Sequence, residues 1–203
     1  MKLYYTPGAC SLSPHIVLNE LGLAHETEMV DLKTKKTATG KDYNAITPKG
    51  CVPALVLDSG ELLTEGPAIV QYLGDLAPAK KLAPANGTMA RYRLQEWLNY
   101  LSAELHKGFG GLFNPALPDD MKAALKTTLG NRLGYVAQQL AGRDFLIGDE
   151  FSVADAYLFT ILGWGDYVGI DIGQWPTLKA YHGKIFMRPA VQATLKAEGL
   201  IPA

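Results

Sequence analysis

Hydrophobic positions along the chain change their period near residue 80. Before that point, short apolar or alternating runs are separated by turns. Lys2-Leu-Tyr-Tyr5 predicts a strand and Thr6-Pro-Gly8 a loop. Residues 12–23 predict a helix, with apolar residues at 12, 16, 17, 18, 21 and 23 and Gly22 near its end. Residues 26–30 alternate as a second strand. Residues 54–57 form a brief apolar run, Asp58-Ser-Gly60 a turn, and Glu61-Leu-Leu63 pairs back as a hairpin. Thr64 is the expected N-cap of a helix reaching residue 76, and Pro67 lies in its first turn, where a missing N–H costs least. Strand, helix, strand, then strand, strand, helix makes an α/β unit.

Residues 77–88 hold two prolines and a glycine and read as a linker. Beyond it the spacing is helical throughout. Residues 89–113 carry apolar positions at 94, 97, 98, 101, 105, 109 and 112. Residues 121–140 predict a second amphipathic helix, ended by Gly142. Phe151-Ser-Val-Ala-Asp155 opens another with a capping box, in which Ser152 caps and Asp155 sits three residues on. Asp155 is therefore read as structural. Residues 163–173 are glycine-rich, and 176–187 and 189–198 predict two short helices. The expected division is an α/β domain at 1–80 and an all-helical domain at 88–203.

Composition narrows the function. The chain has 203 residues, 48% hydrophobic and 19% charged, with a net charge of −1. Lacking a Lys/Arg block, it is not expected to bind nucleic acid or an anionic membrane. Residues 157–164, the longest apolar stretch, are too short to span a bilayer. The start has no apolar segment of the kind a signal peptide needs. Two cysteines, Cys10 and Cys51, make no disulfide framework, which points to a reducing cytoplasm.

The densest chemistry lies in residues 49–73. Val52-Pro53 follows a glycine and precedes a strand, a setting that tolerates a cis proline. The Val52 N–H and C=O would then face outward, unpaired, and a short peptide could add to them as an extra strand. Glu65 and the Gly66 N–H would sit at a helix N-terminus, which favours a carboxylate ligand. The unit is expected to cradle a small peptide bearing a carboxylate. Lys35, in the loop Lys33-Thr-Lys-Lys36, could pair such a carboxylate.

Cys10 lies between a Pro-Gly turn and a helix start, a position that favours a thiolate, so it is expected to be the reactive thiol. Cys51 is expected to pack. Ser13 stands where a two-thiol redox motif would carry its second cysteine. Ser11 is a rival hydroxyl, and Tyr5 a phenol near the strand end. His106-Lys107 on the long helix is followed by Gly108-Phe-Gly-Gly111, where glycines would open space beside the imidazole. Asn99, seven residues earlier, would share that face. Tyr5, Phe109, Phe113, Trp164 and Tyr167 could line an apolar pocket. His15, His25 and His182 lack metal-ligand spacing with either cysteine, and no metal is expected.

With these residues in hand, the chain resembles the cytosolic glutathione transferases of the bacterial Beta class over essentially its whole length. The resemblance rests on Tyr5-Thr-Pro-Gly-Ala-Cys-Ser-Leu-Ser-Pro14, Asn44-Ala-Ile-Thr-Pro-Lys-Gly-Cys-Val-Pro-Ala-Leu55, Leu63-Thr-Glu-Gly-Pro-Ala-Ile-Val-Gln-Tyr-Leu73 and Phe151-Ser-Val-Ala-Asp155. It implies a thioredoxin-like N-terminal domain with cis Val52-Pro53, an all-helical C-terminal domain and a homodimer. It implies glutathione as co-substrate and a small hydrophobic electrophile. Cys10 would lie at the glutathione sulfur. Val52, Glu65 and Gly66 would hold the tripeptide backbone and γ-glutamyl end. Lys35, His106 and Lys107 would lie near its glycyl or sulfur end, and Asn99 would reach in from the partner subunit. Gly66 departs from the serine that many relatives carry, and Ala103 lacks a hydroxyl some have. Two outcomes stay open for Cys10: a neutral donor to the glutathione thiolate, or a mixed disulfide supporting thiol transfer. A glutaredoxin-like thiol–disulfide exchanger and a non-catalytic binding protein are the competing functions.

Overall fold

The structure, a computed structural model, describes residues 1–202. It divides into two compact units, one of residues 1–80 with 188–203 and one of residues 81–187. The first unit is built on a five-stranded sheet: β1 (Lys2–Tyr5), β2 (Glu26–Asp31), β3 (Lys36–Thr37), β4 (Ala54–Val56) and β5 (Leu62–Thr64), in spatial order β3-β2-β1-β4-β5. β1 and β2 run parallel, with Leu3 opposite Thr27, and the other neighbours are antiparallel. A parallel pair needs a crossover, which α1 (Leu12–Leu21) supplies. Its end is set by Gly22 in the left-handed region at φ 67°, with the Gly22 and Leu23 N–H groups bonded back to Asn19 and Leu18.

Successive residues of a strand face opposite ways, yet Leu3 and Tyr4 are both buried. The sheet is therefore covered on both faces. Tyr4 packs with Val30, Tyr43, Val52 and Ala54. Tyr43 comes from the short α2 (Tyr43–Ile46), its ring 5.6 Å from that of Tyr4. α1 packs on α3 (Gly66–Leu76), burying Ile16, Val17, Ile69 and Leu73 completely. The strands, α1 and α3 follow the sequence reading closely. β3 and α2 do not appear in that reading, because two and four residues are too few to show a period.

In the second unit, α4 (Met89–Tyr100) runs through a six-residue π-helical segment, Leu101–His106, into α5 (Lys107–Leu112). α6 (Asp119–Gln139), α7 (Val153–Leu162), α8 (Gly165–Val168) and α9 (Pro176–Phe186) follow. All ten residues of α7 are buried, which explains its nearly unbroken apolar sequence. Its capping box is present, and Asp155 accepts from the Leu146 and Ser152 N–H groups and from the Ser152 and Tyr181 hydroxyls. Burial pushes the Asp155 carboxyl above its ordinary value, against the pull of those donors.

The last helix, α10 (Pro189–Ala197), belongs to the first unit. This departs from the expected grouping of 88–203. Helical spacing shows that a face is buried, not which neighbour buries it. Here the tail is held by polar pairs. Arg188 grips Glu20 through two bonds of 2.6 and 2.9 Å, Asn19 donates to Thr194 at 2.7 Å, and Glu198 meets His15 at 2.8 Å. In the expected linker, Leu82 and Ala83 are buried, and the Leu82 carbonyl accepts from Val153.

Candidate functional site

The loop between β1 and α1 is fixed before it reaches Cys10. The Ser11 hydroxyl accepts from the Thr6 N–H and donates to the Thr6 carbonyl, at 3.1 and 3.2 Å. The Thr6 hydroxyl donates to Val30 on β2 at 2.7 Å. The Gly8 N–H donates to Glu198 at 2.9 Å, and the other carboxylate oxygen of Glu198 meets His15. Ser11 is thus fully buried with its hydroxyl closed on Thr6. This candidate hydroxyl thus staples the loop.

Cys10 is partly buried, and its thiol donates to the Val52 carbonyl at 3.1 Å. Burial pushes this thiol up to about 12, the Cys10 and Ser11 N–H groups offset that only in part, and charge at Cys51 and Glu65 adds to it. Desolvation thus works against the thiolate that the turn-to-helix setting favours. Cys51 is exposed rather than packed.

The Val52-Pro53 bond is cis. The Val52 side chain is buried beside Tyr4 and Tyr43, and its N–H has no hydrogen-bond partner among the described residues. Its carbonyl is not unpaired, as expected, but capped by Cys10. The segment leading to it is tied from behind: the Lys35 ammonium donates to the Gly50 carbonyl at 2.7 Å and the Tyr43 hydroxyl to the Cys51 carbonyl at 3.0 Å. Gly50 has φ 59°, and a Cβ there would meet the Asn44 side-chain oxygen at 2.9 Å. An ammonium has three donors, so Lys35 keeps hydrogen-bonding capacity beyond Gly50.

At the start of α3 the structure moves the cap by one residue. Thr64 pairs with Ala54 in the sheet, and Glu65 takes the N-cap position with φ 71° and ψ 112°. Glu65 is exposed, and Lys49 bridges it at 2.6 Å while donating to Thr64 at 3.0 Å. The Gly66 N–H has no partner among the described residues, as befits a helix N-terminus. A Cβ on Gly66 would meet only Pro53, at 4.0 Å. Val52, Pro53 and Gly66 thus line one edge, with Cys10 on the Val52 carbonyl.

The second unit gathers a separate group. His106 closes the π-helical segment, its Nδ1 hydrogen-bonded to the Tyr157 hydroxyl at 2.6 Å and its ring 4.9 Å from that of Trp164. Phe109 and Phe113 meet Trp164 edge-on at 6.1 and 6.0 Å. Tyr167 is 75% exposed. Tyr5, in the first unit, faces His15 at 5.8 Å. Lys107 and Asn99 are exposed. The i→i+5 turns rotate everything after residue 101, so Asn99 and His106 do not share the face that α-helical spacing implied. Nor do the glycines all open space. A Cβ at Gly108 would meet Leu129 at 3.1 Å and one at Gly111 would meet Leu125 at 3.2 Å, and of the three only Gly110 faces open room.

The family description "Glutathione S-transferase, N-terminal domain" matches residues 8–76, and "Glutathione S-transferase, C-terminal domain" matches residues 100–189. A relative from Escherichia coli O157:H7, glutathione S-transferase GstA, is 46% identical over 200 residues, covering 98% of this chain and all of the relative. The chain belongs to the glutathione S-transferase family. A sphingomonad glutathione S-transferase solved with glutathione superposes with a TM-score of 0.96 at 54% identity, covering 99% of this chain and all of that one. A beta class glutathione S-transferase from Sphingomonas chungbukensis does so with 0.96 at 51% identity and the same coverage. The thioredoxin-like first domain and the helical second domain are those of this glutathione transferase's family.

Three site residues escape sequence reasoning. Lys49 orients Glu65, Glu198 pins the loop of Cys10 from the far end of the chain, and Tyr157 orients His106. Tyr157 carried a signal, since a hydroxyl within an otherwise apolar helix needs a partner. Lys49 and Glu198 carried none, being ordinary charges in polar surroundings.

Among the described residues, no helix is long and apolar enough to cross a membrane, and no group of His, Cys, Asp or Glu could hold a metal ion.

Proposed function

We propose that this glutathione transferase lays glutathione along the edge formed by Val52, Pro53 and Gly66 and delivers its sulfur, as a thiolate, to small hydrophobic electrophiles. The observation that carries the reading is the pair of unpartnered backbone donors, Val52 N–H and Gly66 N–H, on an edge that also presents the Cys10 thiol. An extended peptide would take the Val52 N–H as a strand takes its neighbour, and a carboxylate would take the Gly66 N–H. The exposed Glu65 carboxylate, held by Lys49, would meet the γ-glutamyl ammonium. The remaining donors of Lys35 would meet the glycyl carboxylate. The family resemblance assigns His106 and Lys107 to the same ligand, with Asn99 reaching in from a second copy.

Conjugation requires the glutathione thiol to lose its proton. A second thiolate beside it would oppose that loss, whereas a neutral thiol would assist it by donating. The raised Cys10 thiol supports the neutral role. If the Cys10 S–H turns to the glutathione sulfur, it releases the Val52 carbonyl, and both backbone groups of Val52 become available to the ligand. The family resemblance assigns the electrophile to the apolar rings of Phe109, Phe113 and Trp164, which meet edge-on within the second unit. The same neutral thiol weighs against a glutaredoxin-like exchanger acting through a Cys10 thiolate. Detoxification in the cytoplasm is the accompanying proposal. We also propose a homodimer, supported by Met89 and Tyr92 on α4 and Tyr135 on α6, all strongly exposed.

The test is calorimetry with glutathione, followed by turnover on a panel of electrophiles. Binding abolished by blocking the glutathione α-carboxylate is expected. A protein that ignores millimolar glutathione overturns the reading. Sedimentation that finds an active monomer overturns the dimer.

A further inference from the structure

One hydroxyl behind the Val52 edge fixes the direction of its backbone donor. Tyr43 is fully buried, and its hydroxyl donates to the Cys51 carbonyl at 3.0 Å. A carbonyl only accepts, so the phenol proton lies on this bond. Burial pushes the Tyr43 phenol well above its ordinary value, which keeps it a neutral donor. The residue is itself clamped. Its N–H donates to the Lys35 carbonyl at 2.7 Å, its carbonyl accepts from the Thr47 N–H at 2.9 Å, and its ring packs on that of Tyr4, 5.6 Å away. The Lys35 ammonium holds the preceding carbonyl, Gly50, at 2.7 Å, so both ties to this segment come from one frame. The peptide between Cys51 and Val52 is trans and planar, so its carbonyl and its N–H point in opposite directions. With the carbonyl turned inward to Tyr43, the Val52 N–H is turned outward. It has no partner among the described residues, while the Val52 side chain is anchored in the same cluster as Tyr43.

We propose that Tyr43 is a positioning residue for glutathione: through the Cys51 carbonyl its hydroxyl aims the Val52 N–H at the tripeptide backbone and strengthens that donor. The role in binding rests on the function proposed above, and the aiming does not. Without the hydroxyl, the Cys51 carbonyl is left unpaired in the interior, which costs free energy. The peptide unit then rotates to give its carbonyl to water, and the N–H turns in as the carbonyl turns out. With the hydroxyl present, hydrogen bonds at the two ends of one amide polarise it in the same sense and reinforce each other. Tyr43 is buried and acts only through the backbone. Its loss therefore weakens the hold on the ligand and leaves the chemistry of the bound sulfur unchanged.

The experiment uses full-length Tyr43→Phe, which removes the hydroxyl and keeps the ring, with Tyr4→Phe as the control that takes a phenol from the same cluster. In the free protein, amide hydrogen exchange read by NMR is expected to find Val52 unprotected in the wild type and in Tyr4→Phe, and slowed more than about tenfold in Tyr43→Phe. Calorimetry is expected to show glutathione bound about five- to tenfold more weakly by Tyr43→Phe alone, with KM raised by that factor and kcat within about twofold of the wild type. The movement of the Val52 amide resonance on saturation with glutathione is expected to shrink. Equal Val52 exchange in all three proteins overturns the aiming. Undiminished affinity in Tyr43→Phe, or a fall in kcat at constant KM, overturns the binding role. Should Tyr43→Phe fail to fold, Tyr43→3-fluorotyrosine carries the test: the more acidic phenol donates more strongly, and the Val52 amide resonance is expected to move downfield in the free protein, an unmoved one overturning the aiming. A wild-type Val52 amide that stays in place while glutathione binds overturns the proposed glutathione edge and the binding role with it, and the exchange measurement still decides the aiming.

Discussion

The Cys10 thiol donates to the Val52 carbonyl at 3.1 Å, so the sulfur nearest the expected chemistry is already engaged by the backbone. Its proton is held by burial, which lifts the thiol to about 12, and the exposed Cys51 is left as the accessible sulfur. Iodoacetamide at pH 7.5 should therefore label Cys51 well before Cys10. Peptide mapping of a time course checks this, and equal labelling of both sulfurs would contradict the neutral thiol. Cys10→Ala should fold and conjugate with kcat/KM lowered about two- to tenfold, the worth of one weak donor at roughly 0.5–1.5 kcal/mol. A loss of several orders of magnitude would mean that Cys10 takes part as a nucleophile.

Glu65 combines an exposed carboxylate with a backbone at φ 71°, where a side chain with a Cβ is strained. Its retention there is explained if the carboxylate is needed more than the relaxed backbone. Glu65→Ala should weaken glutathione by about 1.5–3 kcal/mol, the range for a charge-assisted hydrogen bond. Glu65→Gly should weaken it similarly while gaining about 1 kcal/mol of stability as the strain is relieved. Calorimetry and urea unfolding on both variants separate the two effects. Undiminished affinity in either variant would remove Glu65 from the site.

Gly66 offers a gain-of-function test. A Cβ there meets nothing nearer than Pro53 at 4.0 Å, and the backbone conformation is ordinary for any residue. Gly66→Ser should leave stability within about 0.5 kcal/mol. The added hydroxyl lies at the start of α3, beside the proposed carboxylate, and should tighten glutathione by about 1 kcal/mol, or roughly fivefold. Calorimetry decides, and an affinity equal to or weaker than that of the parent would place the γ-glutamyl end elsewhere.

What could be read beforehand follows from how local each signal was. β1, α1, β2 and the hairpin of β4 and β5 are set by patterns within ten residues, and so is the capping box of Ser152 and Asp155. Cys10, Val52, Glu65 and Gly66 were legible because turn and cap chemistry marks their backbones. The failures are all non-local or register effects. The fate of Cys10 depends on Val52, 42 residues away, and the loop of Gly8 on Glu198, 190 residues away. The facing of His106 depends on a π-helical segment that the apolar period does not reveal. Thr64 is a sound cap by composition, yet its pairing with Ala54 in the sheet outbids that preference and passes the cap to Glu65.

Glu28 ties the edge of the same sheet to pH. It is buried on β2, where Lys2 bridges it at 2.5 Å and Thr39 donates to it. Burial pushes its carboxyl up, but the hydrogen bonds from Lys2, Thr39 and Thr37 outweigh that and hold it at about 2, against 4.5 for a free glutamate. A carboxyl lowered on folding stabilises the native state fully above the unfolded value. That contribution fades as pH falls from about 4.5 towards 2, because the unfolded chain then binds a proton that the native one refuses. The difference corresponds to about 3 kcal/mol. Glu28→Gln should therefore be less stable than the wild type by about that amount at pH 7, and the gap should narrow steadily as pH falls from about 5 towards 2. Urea unfolding of both proteins at several pH values measures it. A gap that stays constant down to pH 3 would show that Glu28 acts through packing alone, not through its charge.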